Sequence, residues 1–135
     1  MLEAAIENKT VALDDKLYEK LANGWIVAGE LDKSLAPLQR AAELAASGDT
    51  FVRLGEVQAQ REDWPAAIAA IQRGVEKGQI KDPGNADLWL GIAHYSQKAF
   101  DAAIPFFERV GRSDRHRQLA ESYLQAIKAL RPATL

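Results

Sequence analysis

Cysteine is absent from this 135-residue chain, which has only two histidines and three tryptophans. Without cysteine there are no disulfides, no thiolate nucleophile and no cysteine-based zinc site. Neither charge dominates, since 17 basic and 19 acidic residues leave a formal net charge of −2. Such a balance gives no overall attraction to phosphate backbones or anionic lipid. We therefore expect no nucleic acid partner.

Long apolar runs and catalytic patterns are missing too. No stretch approaches the roughly 20 apolar residues that span a bilayer, so we expect no direct membrane insertion. His94 and His116 do not form the His-Glu-x-x-His metal pattern, and no glycine-rich phosphate loop occurs. Asp14 and Asp15 precede a predicted helix, where acidic residues cap free N–H groups. The sequence predicts no enzyme activity, no cofactor and no metal site.

An internal repeat organises the chain. Segments 29–38, 62–71 and 98–107 align without gaps and are separated by 33 and then 36 residues. Large apolar residues recur in each at offsets of 0, 4 and 7, a helical stripe. Upstream, a large residue precedes a tiny one at the same spacing, as in Leu54-Gly55 and Leu90-Gly91. The columns are Leu31/Trp64/Phe100, Leu35/Ile68/Ile104 and Leu38/Ile71/Phe107, with small Ser34/Ala67/Ala103 between the first two.

These features resemble tetratricopeptide (TPR) repeats, which have two helices per unit and a period of roughly 34 residues. The bulky-small pair falls on the first helix, and an aromatic residue, Trp64 or Phe100, opens the second. The first copy departs most, since Ala22 and Ser34 stand where glycine and alanine are usual. The resemblance implies an all-α TPR-type helical-hairpin solenoid (α-α superhelix) of about three repeats plus a C-terminal capping helix.

The predicted organisation is a single TPR domain over residues 1–135. Its parts are a remnant helix of a preceding repeat (2–9), repeat 1 (15–47), repeat 2 (48–81), repeat 3 (84–112) and the capping helix (113–130). The helices of the repeats are expected at 15–28, 31–46, 50–61, 64–77, 86–97 and 100–110. Asp49, Asp63 and Asn85 are the predicted N-caps.

The resemblance implies a protein-binding scaffold whose first helices line a concave groove. Partner-facing residues should be first-helix positions that point away from the bulky-small stripe. The candidate partner-binding residues are Lys16, Glu19, Asn23, Arg53, Glu56, Gln60, Leu88, Trp89, Ile92 and Tyr95. This groove would be charged at one end and apolar and aromatic at the other. Two alternatives stay open for Trp89: it lies exposed in the groove, or the last helix covers it as core.

A narrower resemblance comes from the linker Lys77-Gly-Gln-Ile-Lys-Asp-Pro-Gly-Asn85 and its flanks. It is similar to the C-terminal region of bacterial TPR proteins associated with TonB systems. This likeness implies a TonB-linked envelope transport system and a periplasmic or envelope location, while the residues themselves leave the cytoplasm open.

The sequence favours two hypotheses about function. The first is a noncatalytic scaffold that binds a protein or peptide partner in the groove. The second is a homo-oligomerising structural module, in which the unfinished N-terminal edge and the apolar groove end pair between chains.

Overall fold

The computed structural model describes residues 14–110 and 115–130, and every regular element in these ranges is an α-helix. The helices are α1 (Asp15–Val27), α2 (Leu31–Leu44), α3 (Asp49–Gln60), α4 (Trp64–Lys77), α5 (Pro83–Ser96), α6 (Phe100–Val110) and α7 (Arg117–Leu130). Packing is most extensive within the hairpins α1/α2, α3/α4 and α5/α6, and α7 packs on α6. The predicted remnant helix over 2–9 lies outside the described residues.

One predicted helix cap is confirmed and another is wrong. Asp63 caps α4, since its carboxylate accepts the N–H of Ala66 at 3.4 Å. Asn85 is not a cap, because α5 begins at Pro83 and is capped by Asp82, which accepts the N–H of Asn85 at 3.0 Å. Proline favours the first helical position because its φ is already helical there. The helix therefore begins earlier than the predicted residue 86.

Asp49, the third predicted cap, is the first residue of α3 instead. Its carboxylate accepts the N–H of Lys81 at 3.0 Å, in the loop before α5. The hydroxyl of Ser47 accepts the N–H of Asp49 and donates to the carbonyl of Gln79, both at 3.0 Å. These bonds fasten the start of α3 to the next inter-repeat loop.

One of the three large columns and the small column are fully buried, and the members of the other two large columns are half-buried. Leu38, Ile71 and Phe107 have 0% of their surface exposed. Ser34, in the small column, is equally buried, and its hydroxyl donates to the carbonyl of Leu31 at 2.7 Å. A serine is tolerated in place of alanine because its polar group has a partner.

Glycine in the bulky-small pairs permits a close helix crossing. A Cβ built on Gly55 would lie 2.4 Å from Cγ1 of Ile71, and one on Gly91 would lie 2.6 Å from Cε1 of Phe107. Real Cβ atoms do not approach this closely. The second and third hairpins therefore require glycine where α3 crosses α4 and α5 crosses α6.

The last helix covers the third hairpin. Its start was predicted at 113, but Arg115 and His116 form a turn and α7 begins at Arg117. The ring of Tyr123 stacks on Phe107 at 4.8 Å and meets Tyr95 edge-on at 4.9 Å between ring centroids. Aromatic pairs at these distances add to the energy of area burial. The helix is thus anchored on both α5 and α6.

Candidate protein-binding surface

Polar side chains connect the first helices of successive hairpins. The hydroxyl of Thr50 on α3 donates to the carboxylate of Glu19 on α1 at 2.9 Å. The guanidinium of Arg53 donates to the side-chain carbonyl of Asn23. Both bonds are part-buried, so these side chains are held in place rather than free in solvent. The face of α1 that carries Glu19 and Asn23 therefore looks toward α3.

Glu56 extends these polar contacts from α3 to α5. The side chains of Asn85 and Trp89 lie near its carboxylate with their donors and favour its charged form, and Arg53 lies close enough to attract it. Burial raises the pKa of Glu56, and these donors and the charge of Arg53 offset only part of this effect. Three of the predicted residues, Arg53, Glu56 and Trp89, are thus brought together.

Trp89 matches neither of its two predicted placements fully. It is half-buried and packs against the cluster that contains Val52 and Leu90. The cluster formed with α7 does not include it. Its ring belongs to the joint between the second and third hairpins, and its polar edge contacts Glu56 on the first-helix side.

The expected apolar end of the groove is not an open surface. Leu88 is only 5% exposed and belongs to the core that α7 completes. Ile92 and Tyr95 also pack against this core. Leu88 is therefore not the exposed groove residue that the sequence predicted, whereas Ile92 and Tyr95 are half-buried, and Tyr95 meets Tyr123 of α7 edge-on. Periodicity on α5 alone could not show this, since the whole of α6 separates α5 from the covering helix in the sequence.

What remains open is a polar surface of the first helices. We call it the first-helix face, and it consists of Lys16, Glu19, Lys20, Asn23, Arg53, Glu56, Gln60 and Trp89. Lys16, Lys20 and Gln60 are exposed, and the other members are partly buried. Exposed ammonium and amide groups can pair with carboxylates and backbone carbonyls of a bound segment. Partly buried Trp89 adds an aromatic surface next to them.

A polar contact that the sequence did not predict ties α7 to the start of α5. The carboxylate of Asp82 lies 3.3 Å from Nε2 of His116 and 3.4 Å from the guanidinium of Arg115. Burial acts to raise the pKa of Asp82, but the N–H of Asn85 and the nearby His116 and Arg115 outweigh it and lower that pKa. The one feature of the sequence that points to Asp82 is its place before a proline at a helix start. This feature predicts that Asp82 caps the helix, but it does not predict the contacts of Asp82 with Arg115 and His116.

Other chemistry is sparse in the described ranges. Residues 14–110 and 115–130 contain no group of three potential metal-ligating His, Cys, Asp or Glu side chains. In the same ranges no helix combines the length and the apolar character that crossing a membrane demands. Burial lowers the pKa of His94, whose ring stacks on Phe106, so this histidine is a packing residue.

Comparison with known proteins supports the fold. No protein-family model matches the chain, and no curated protein matches it. Among solved structures, the chain is similar to the crystal structure of MamA, with a TM-score of 0.78 and 19% sequence identity. The match covers 95% of this chain and 75% of that one. The chain therefore has an all-α fold of the TPR-type helical-hairpin solenoid class.

Proposed function

We propose that the protein is a noncatalytic scaffold that binds a segment of a protein partner along the first-helix face. One observation carries this proposal: polar side chains of three consecutive first helices lie together, joined by hydrogen bonds between α1 and α3 and by the surroundings of Glu56 between α3 and α5. Solenoids of this type use their concave surface for binding. A surface that is already ordered loses less conformational entropy when a partner binds.

The roles proposed for the candidate residues differ. Lys16, Lys20 and Gln60 supply exposed donors at the rim of the face. Arg53 and Glu56 hold the middle of it in shape, with Trp89 as the aromatic anchor that commonly concentrates binding energy. Leu88, Ile92 and Tyr95 are given a structural role instead, because they pack in or against the core that α7 completes.

The partner and the location belong to the same proposal. The linker between α4 and α5 is similar to that of TPR proteins associated with TonB systems, so we propose a TonB-linked envelope component as the partner. A periplasmic or envelope location follows from this choice of partner.

The test is a pull-down from a bacterial envelope extract, with the captured proteins identified by mass spectrometry. Lys16→Glu/Lys20→Glu reverses two exposed charges on the face. Lys33→Glu/Lys98→Glu makes the same change in net charge at exposed positions on α2 and on the turn before α6, and serves as the matched control. Circular dichroism confirms that each variant is folded.

We expect a TonB-system protein to be retained by the wild type and by the control, and to be lost with Lys16→Glu/Lys20→Glu. Equal capture by both variants would overturn the first-helix face as the binding surface. Capture of proteins from other systems only, with the same variant pattern, would overturn the TonB assignment and leave the scaffold function supported.

A further inference from the structure

A pocket lies at the joint between the second and third hairpins, between the second helices α4 and α6. It has a volume of about 410 Å³. We call it the Asp87 pocket. Val75, Pro83 and Arg109 at its walls are exposed and Asp87 is partly exposed, so solvent reaches it. Ile80 and Ala86 complete its apolar lining.

Lys77 fills the corresponding place at the joint between the first and second hairpins. Its ammonium group donates to the carbonyl of Ala42 at 2.8 Å and to that of Glu43 at 3.2 Å. Both carbonyls belong to the last turn of α2. The same ammonium group lies 5.4 Å from the centre of the Phe51 ring. At its first joint, the chain therefore uses a lysine side chain to bond the free carbonyls of a helix end.

The second joint has the same acceptors without the lysine. The repeat aligns Val75 and Glu76 of α4 with Ala42 and Glu43 of α2. In both helices the first N–H past the helix end bonds the carbonyl just before this pair. No donor in the described part of the chain bonds the carbonyl of Val75 or Glu76. The repeat aligns that lysine with Ser113, which has no ammonium group.

The charges at the second joint favour a cation more than those at the first. Arg73 and Lys77 both lie over the ring of Phe51, so a lysine beside this arginine is accommodated even over an uncharged ring. The repeat aligns Asp87 with this phenylalanine and Arg109 with this arginine. Arg109 donates to Oδ1 of Asp87 at 3.1 and 3.3 Å. The second oxygen of this partly exposed carboxylate can accept a further donor.

We infer that the Asp87 pocket binds the side chain of a lysine from the protein partner. An ammonium group has three donors, which suit Oδ2 of Asp87 and the free carbonyls at the end of α4. The negative end of the helix dipole also favours a cation there. Val75, Ile80 and Pro83 offer apolar surface to the methylene groups of lysine, which pack on such surface while the charged end stays polar.

This inference rests on the proposed function only in taking the lysine from a protein partner. The pocket itself is argued from the repeat, the free carbonyls of α4 and the carboxylate of Asp87. Lys16 and Lys20, which the test of the first-helix face changes, lie on α1 and do not line the pocket. The two proposals can therefore fail separately.

The probe is N-acetyl-L-lysine N-methylamide, titrated into the full chain and followed by two-dimensional ¹H–¹⁵N NMR. We expect shift changes at the amides of Glu76 and Lys77, which share peptide units with the carbonyls of Val75 and Glu76, and at the amide of Asp87. N-acetyl-L-norleucine N-methylamide has the same stem without the ammonium group. It should bind about tenfold more weakly, because it lacks charged hydrogen bonds. No shift changes at the solubility limit of the lysine probe, or equal binding of both probes, would overturn the inference.

Asp87→Asn tests the carboxylate. This variant should bind the lysine probe about tenfold more weakly, because a charge-assisted hydrogen bond is lost. Glu108→Gln makes the same change in net charge at an exposed position of α6 and should bind the probe as the wild type does. Unchanged binding by Asp87→Asn, or an equal loss in both variants, would overturn the inference.

Lys77→Ala tests the internal precedent and does not depend on the folding of Asp87→Asn. It removes the lysine from the first joint and should create a second site for the lysine probe there. We expect new shift changes at the amides of Glu43 and Leu44, which share peptide units with the carbonyls of Ala42 and Glu43. The absence of a second site in folded Lys77→Ala would overturn the inference.

Three further results identify the occupant. Binding of 1,5-diaminopentane more than tenfold tighter than the lysine probe would assign the pocket to a free diamine and would overturn the choice of a protein lysine. Self-association of the wild-type chain that Asp87→Asn removes would assign the lysine to a second copy and would also overturn that choice. Lys16→Glu/Lys20→Glu should bind the probe as the wild type does, so loss of the partner in that variant concerns the first-helix face alone.

Discussion

At the scale of single residues, the two glycines of the bulky-small pairs make the sharpest stability prediction. Gly55→Ala places a Cβ 2.4 Å from the Ile71 side chain and 2.9 Å from the carbonyl oxygen of Ala67. The backbone atom cannot move aside cheaply, so α3 and α4 must separate. We expect a loss of about 1–3 kcal/mol of unfolding free energy, the range for overpacked cores, measured by urea denaturation.

Gly24→Ala is the matched control for this change. A Cβ on Gly24 would meet nothing within 4 Å, and the residue lies inside α1. Alanine is the better helix former, so the variant should gain about 0.5–1 kcal/mol. A gain in both variants would show that α3 and α4 are not packed as closely as described.

Glu56 gives a prediction about pH. Its pKa is raised mainly by burial, so the folded chain binds this proton more tightly than the unfolded chain does. Stability from this residue is therefore full at low pH and is lost as the pH rises from the unfolded pKa through the raised folded value. Glu56→Gln keeps an acceptor for Trp89 and carries no charge, so it should be more stable than the wild type at pH 7.

The measurement is urea denaturation of both chains from pH 3.5 to 7. The advantage of Glu56→Gln should shrink as the pH falls through the raised folded pKa toward the unfolded pKa of glutamate, and level off below it. A constant difference across the range would contradict the burial of this carboxylate.

The limits of residue-level prediction are visible on α5. Periodicity predicted correctly which residues form the buried columns, since Leu38, Ile71 and Phe107 repeat at fixed spacing. It could not predict which remaining side chains stay open, because that depends on which helix packs next. Leu88 and Trp89 are neighbours in sequence, yet only Leu88 is covered by the core that α7 completes.

At the scale of secondary-structure elements, Asp82 joins α5 and α7, which are not consecutive helices of the chain. It caps α5 through the N–H of Asn85 and contacts His116 before α7. Asp82→Ala should therefore lose the cap, worth about 1 kcal/mol, and in addition the contact that docks α7. Asp63→Ala, which removes only the cap of α4, should cost about 1 kcal/mol and is the control.

The same pair of variants separates capping from docking. Hydrogen exchange of α7 amides should quicken in Asp82→Ala and stay unchanged in Asp63→Ala. Because the pKa of Asp82 is lowered, its contribution is present above the unfolded pKa and is lost as the pH falls through the folded one. Unchanged exchange in Asp82→Ala would show that the contact does not hold α7.

Helix bounds were predictable to different degrees, and the reason is physical. The second helices α4 and α6 match their predicted ranges of 64–77 and 100–110 because an aromatic residue and a core stripe mark each start. The start of α5 has a local signal too, since Asp82 caps it and Pro83 opens it, but Asn85 was chosen as the cap instead. The contact of Asp82 with His116 before α7 joins residues 34 positions apart, and local patterns could not predict it.

At the scale of the whole molecule, α7 packs on the stack in the manner of a first helix. Ala120, Tyr123 and Leu124 of α7 have the same spacing along their helix as Ala86, Trp89 and Leu90 of α5. Ala120 is fully buried, as Ala86 nearly is. At the positions where Gly55 and Gly91 meet their second helices, α7 has exposed Gln125. The helix continues the packing of the stack on one side and is polar on the other.

This arrangement bears on self-assembly, the second function that the sequence suggested. Two surfaces were expected to pair between chains. The apolar end of the groove packs with the core that α7 completes, and the N-terminal edge lies outside the described residues. The outward side of α7 has Glu121, Gln125 and Lys128, all exposed. Terminal repeats with a polar outer face keep a solenoid from stacking end to end. Association through this face is therefore opposed by its polarity.

Substitutions on α7 can remove the polarity that opposes association. Glu121→Leu/Gln125→Leu places two adjacent apolar side chains on the face where a second helix would pack, and contiguous exposed apolar surface drives association. We expect this variant to show a concentration-dependent rise in mass by sedimentation equilibrium, while Glu121→Gln/Gln125→Glu keeps the face polar and has the same mass as the wild type at all concentrations. Equal masses for all three chains would show that polarity of α7 does not limit stacking. A rise in mass of the wild type itself, unaffected by either variant, would place self-association on another surface and restore the oligomeric module as a function to be tested there.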